Sequence, residues 1–60
     1  MKTQVIYALT GYSTIIDNST AMQSAIAYQN NARHCVVLDK GDYIEVRSAS
    51  GSLLATFKDT

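Results

Sequence analysis

Asn18-Ser-Thr-Ala-Met-Gln-Ser-Ala-Ile-Ala-Tyr-Gln-Asn-Asn-Ala32 is the stretch whose reading decides the fold. Its apolar residues recur at helical spacing, while the residues on either side alternate at the two-residue period of strands. One change of period predicts one helix laid across a small antiparallel sheet. Projected at about 100° per residue, Ala21, Met22, Ala25, Ile26, Tyr28 and Ala32 fall in one arc, with Gln23, Ser24, Asn30 and Asn31 opposite. Alanines on the inner arc allow close approach to the sheet. Gln29 lies inside that arc, so its amide is expected to bond to strand backbone.

Asp17, Asn18, Ser19 and Thr20 can all accept hydrogen bonds from the free amides of a first helical turn. Thr20 and Gln23 have capping-box spacing, and a cap at Asp17 would let Ile16 staple onto Ala21. At the other end Asn30 and Asn31 tolerate a left-handed exit. Arg33 and His34 then complement the carbonyl end of the helix dipole.

Before the helix, Lys2 to Thr10 reads as a strand, with Val5, Tyr7 and Leu9 on one face. Both its faces are partly apolar, which places it inside the sheet. Gly11 punctuates, and Tyr12 to Ile16 is β-rich enough for a short strand paired back on the first. After the helix, His34 to Leu38 is nearly continuously apolar, as a central strand covered on both sides would be. Asp39-Lys-Gly-Asp42 turns the chain. Tyr43 to Ser48 alternates, with Ile44 and Val46 inward and Tyr43, Glu45 and Arg47 outward. Ser52 to Lys58 completes the meander, with Leu53, Ala55 and Phe57 on one face. The prediction is an α+β fold: a single helix on one face of a small antiparallel sheet, in the order β(β)αβββ, with residues 1–60 as one domain.

Sixty residues at 47% hydrophobic content can build a core, though one worth only about 3–5 kcal/mol of net stability. Hiding further apolar surface by self-association is therefore expected, and a homodimer is predicted. Five basic residues balance five acidic ones, which opposes a strongly electrostatic partner such as bulk nucleic acid. Cys35 is the only cysteine. No apolar run approaches the roughly 18 residues that would span a membrane. With no hydrophobic leader after Met1, the chain reads as a short cytoplasmic gene product.

No constellation carries chemistry. His34 and Cys35 are adjacent, but consecutive strand residues point to opposite faces, so they make a poor nucleophile–base pair. One His and one Cys fall short of a zinc site. Asp39, Asp42 and Glu45 around a glycine turn are ordinary hairpin chemistry. The glycines are too scattered for a phosphate loop. Neither a cofactor nor a metal is expected.

One helix covers one side of a sheet, so the other side is left bare with Tyr43, Glu45 and Arg47 on it. Tyrosine buries area at low entropy cost, which suits interfaces. These residues, with Tyr12, are the candidate partner-binding set. The functional expectation is a small, non-enzymatic protein–protein interaction module, an inhibitor or adaptor of a larger protein, of the phage or mobile-element host-takeover or anti-defence type. The alternative is a nucleic-acid-binding module on the same face, with Arg47, Lys58, Lys40 and Tyr43 carrying affinity. A second alternative is an enzyme subunit whose site forms only across an oligomer interface.

Overall fold

Alternating apolar residues and three glycine turns produce the strands of the computed structural model, which describes residues 1–60. The chain runs β1 (Lys2–Tyr7), β2 (Ser13–Asp17), α1 (Ala21–Asn31), β3 (Cys35–Asp39), β4 (Ile44–Ser48) and β5 (Leu53–Asp59). All pairings are antiparallel, and the sheet order is β2-β1-β5-β4-β3. The fold is α+β in the predicted order, with β1 inside the sheet.

The register sets two rows under the helix. Asp39, Ile44, Phe57, Val5 and Thr14 form one, and Val37, Val46, Ala55 and Tyr7 the other. Phe57, Val5 and Val46 are fully enclosed with Ala21, Ala25, Ile44 and Ala55. Burying each of the larger side chains stabilises the fold by about 1.5–3 kcal/mol.

Helix α1 sits on β3, β4 and β5, reaches β1 and leaves β2 largely uncovered. Its inner face is Ala21, Ser24, Ala25 and Tyr28, not the arc that hydrophobicity predicts. Ser24 is buried because its hydroxyl meets that of Ser19 at 2.7 Å. Three small residues allow the closest approach, and that packing outweighs burial of Met22 and Ile26, which stay exposed.

The helix begins later than predicted. Thr20 is its N-cap, with both capping-box bonds to Gln23 present, so Asp17 is not the cap. A further ligand comes from the far end of the chain: Asp59 Oδ1 accepts the Ala21 N–H at 2.7 Å. Thr3, buried beneath, donates to the Ser19 carbonyl at 2.6 Å. At the C-terminal end the left-handed residue is His34, not Asn30 or Asn31. Asn31 instead donates back to the Ala27 carbonyl. Gln29 donates to the Cys35 carbonyl at 3.0 Å, as its place in the inner arc predicts.

Three strand expectations are corrected. β1 stops at Tyr7, because Gly11 at φ 73° and the Tyr7 N–H to Tyr12 carbonyl bond close the hairpin early; Leu9 is left 89% exposed at its tip. β3 is an edge strand, since a meander that closes against β1 through β5 puts its first strand outermost. In β5 a bulge sets Leu53 opposite Arg47 while Ala55 stays opposite Val46, so Leu53 does not continue the Ala55–Phe57 face.

The polar knot at the helix start generates a stability prediction. Thr20→Ala and Asp59→Ala each remove a cap to a first-turn amide, and each is expected to cost about 1 kcal/mol. In a domain of this size that lowers the melting temperature by about 4–8 °C. Thermal denaturation followed by circular dichroism measures both.

Candidate interaction surfaces

The sheet face opposite the helix is built by the residues that alternate outward. Across it runs the row Leu38–Glu45–Thr56–Ile6–Ser13, flanked by Val36 and Arg47 on one side and by Lys58, Gln4 and Ile15 on the other. Ile6, Ile15, Val36 and Leu38 are 42%, 49%, 47% and 36% exposed. No second layer covers them.

Glu45 and Arg47 lie on this face, as the alternation predicts, but they are spent on each other. Arg47 Nε donates to Glu45 Oε1 at 2.9 Å and Nη2 to Oε2 at 3.3 Å. Its remaining arm, Nη1, reaches the Gly51 carbonyl at 2.8 Å. The fork therefore clamps the β4–β5 turn onto the strand that carries it. Glu45 is only 6% exposed even though it stands on the uncovered side. Its carboxyl is held below the ordinary carboxylate range, chiefly by the Arg47 hydrogen bond working against desolvation. The charges of Arg47 and Lys40 and the Tyr43 hydroxyl add to the effect. The spacing Glu-x-Arg on one strand face, two residues ahead of a serine–glycine turn, is the sequence signal for this clamp.

Tyr43 stands at the entrance to β4, about a third exposed, where its hydroxyl influences both members of the pair. Tyr12 is elsewhere. The Tyr7–Tyr12 backbone pairing puts it on the helix side, so the four candidate residues do not form one surface. Its ring stacks on Tyr7 with centroids 6.1 Å apart, Tyr7 leans on Tyr28 at 6.3 Å, and Tyr28 meets Phe57 edge-on at 6.0 Å. Tyr7, Tyr28 and Phe57 of this ladder floor a groove of about 420 Å³ between α1 and the β1–β2 hairpin, with Ile16 and Ala27 on its walls. The groove exists because the helix does not reach β2.

Ordinary packing accounts for the other residues with chemical potential. Cys35 is half-buried against the core, and its sulfur contacts the Arg33 carbonyl at 3.5 Å. Asp39 accepts the Gly41 N–H, and Lys2 pairs loosely with Asp17 at 3.7 Å. A cleft of about 190 Å³ beside the helix start holds Asp39, Asp42 and Asp59, but the first and last are bonded to turn and helix amides. No three His, Cys, Asp or Glu side chains cluster as metal ligands would. No helix is long and apolar enough to cross a membrane. No protein-family model matches the chain, and no curated protein or solved structure matches it either.

The clamp makes stability depend on pH in a defined direction. Glu45 binds a proton less readily folded than unfolded, so its contribution is complete above the ordinary carboxylate value. It is lost as pH falls through that value toward the lower folded one. Urea midpoints measured between pH 7 and pH 2 should decline in that window, and Glu45→Gln should flatten the decline while lowering the midpoint at pH 7.

Proposed function

We propose that this chain is a small, non-enzymatic protein–protein interaction module that binds its partner through the uncovered sheet face. One observation carries the reading: four aliphatic side chains, Ile6, Ile15, Val36 and Leu38, stand exposed on a rigid sheet with a neutralised ion pair between them. They form two aliphatic pairs, Ile6 with Ile15 and Val36 with Leu38, on either side of that ion pair, with no layer over either, which favours apolar contact on this face. Tyr43 at the margin adds an amphipathic ring of the kind enriched in interface centres.

The partner presents an apolar patch, because the central charges are already satisfied and offer little to an ionic ligand. Arg47 is tied to Glu45 and Gly51, and Lys2 stands beside Asp17, which leaves Lys40 and Lys58 as the cations of the face without an ion-pair partner. That weakens the nucleic-acid reading. The role proposed within this class is an inhibitor or adaptor of a larger protein, acting in the cytoplasm, of the phage or mobile-element type.

Ile6→Lys tests the face without disturbing the core, since Ile6 points away from the helix between Thr56 and Ser13. The unmodified chain, immobilised, should retain a defined protein from lysate after nuclease treatment and at high salt. Ile6→Lys should reduce that retention about tenfold or more, given the loss of a buried aliphatic contact and the burial of a charge. Equal retention by the variant, or retention abolished by nuclease, would remove this reading.

A further inference from the structure

We propose that β3 is the seam of a symmetric dimer, in which it pairs antiparallel with the β3 strand of a second copy. The backbone supports this first. Lys40 N–H donates to the Tyr43 carbonyl at 2.9 Å, so Lys40 and Tyr43 form a hydrogen-bonded pair. Antiparallel ladders alternate, which makes Leu38–Glu45 and Val36–Arg47 bonded pairs as well. The amides and carbonyls of Val37 and Asp39 consequently point outward from the sheet edge. So does the Cys35 carbonyl, and it is this group that Gln29 bonds. Val37 and Asp39 are left as an unfilled template for another strand.

Exposed apolar side chains flank this edge on both faces, with Asp39 the exception at the end of the strand on the helix side. Val36 and Leu38 line it on the open face. On the helix side, Met22, Ile26 and Gln29 follow one another at i, i+4 and i+7 and so form one stripe. Because Gln29 touches Cys35, that stripe runs above β3, and it carries exposed Met22 and Ile26 along the edge. Edge strands are usually protected by charged residues, proline or a bulge. Cys35-Val-Val-Leu-Asp39 has neither proline nor bulge, and its one charge, Asp39, stands at its last residue with Lys40 beyond it. The opposite edge differs: β2 ends in the Lys2–Asp17 pair, and its helix side opens onto the groove.

The strand is complementary to itself. A two-fold axis normal to the sheet through Val37 sets Val37 against the partner's Val37, exchanging two backbone hydrogen bonds. Val36 then faces the partner's Leu38 twice over, joining two exposed aliphatic positions on the same face. Asp39, the only charge on the strand, falls opposite the partner's Cys35, so no like charges meet. The product is one continuous ten-stranded sheet, made from two five-stranded ones, with both helices on one side and both bare faces merged on the other. A short seam flanked by few side chains lies at the small end of specific interfaces, among those that form weakly and reversibly.

Sedimentation equilibrium tests the seam and its register together. The unmodified chain should have the mass of two copies at about 100 µM and dissociate on dilution. In the double variant Val36→Lys with Leu38→Lys, lysines face one another across the axis. It should sediment as one chain with an unchanged circular dichroism spectrum. In Val36→Glu with Leu38→Lys, opposite charges meet across the axis, and each new side chain also faces an opposite charge within its own chain, Arg47 and Glu45. That variant should remain dimeric. If the double-lysine variant fails to fold, amide exchange decides: the Val37 N–H of the unmodified chain should gain protection as concentration rises. A single-chain mass at about 1 mM, a dimer that the double-lysine variant leaves intact, or a Val37 amide equally exposed at all concentrations would overturn the proposal. The seam shares Val36 and Leu38 with the proposed partner face, but the two fail separately: a monomer that still retains its partner through Ile6 would remove the seam alone, and a dimer whose partner retention Ile6→Lys leaves unchanged would remove the partner face alone.

Discussion

An α-helix of eleven residues is about 16 Å long and about 10 Å across, whereas five strands span about 19 Å between their outermost axes. One such helix cannot cover one side of such a sheet, and it leaves the other side untouched. Nearly every exposed feature follows from that mismatch. The helix settles over the three strands of the meander, so β2 overhangs and the aromatic groove opens beside it. The second face has no cover at all, and its aliphatic residues remain in water.

How the helix is held decides what it leaves out. Ala21, Ser24 and Ala25 bring its backbone close over Val46, Ala55 and Phe57, and a tight approach needs small residues on the facing surface. Its start is fixed by Thr20, Gln23 and Asp59, which ties the end of β5 to the first turn. With both constraints met, Met22 and Ile26 turn toward the β3 edge. The same economy operates on the bare face, where a bidentate ion pair and a turn carbonyl perform the tethering that a second layer would otherwise provide.

Element type and order were legible because the period of the apolar pattern changes only twice along the chain. The capping box and the role of Gln29 were legible too, since both rest on local spacing. Three things were not. The rotation of the helix was hidden because a projection weighs hydrophobicity, while close packing here favours small side chains and a serine–serine hydrogen bond. The edge position of β3 was hidden because an apolar run reads the same whether a neighbouring strand or an absent partner is to cover it. Tyr12 was misplaced relative to Tyr43 because its face depends on where the β1–β2 hairpin turns, and Gly11 turns it early.

That ambiguity in the apolar run bears on recognition. A strand patterned as though doubly covered, yet standing at an edge, carries more aliphatic surface than its position in one chain requires. The charges do not compensate: Arg47 is neutralised where it stands, Lys2 is offset by Asp17, and Arg33, Lys40 and Lys58 stand apart along the chain, on two connections and one strand. The recognition proposed for this molecule therefore draws on backbone hydrogen bonds and apolar contact, which salt barely screens, and not on long-range attraction. Such binding gains its specificity from register. In the proposed seam that register centres on Val37, and it sets Val36 against the partner's Leu38 on either side of the axis.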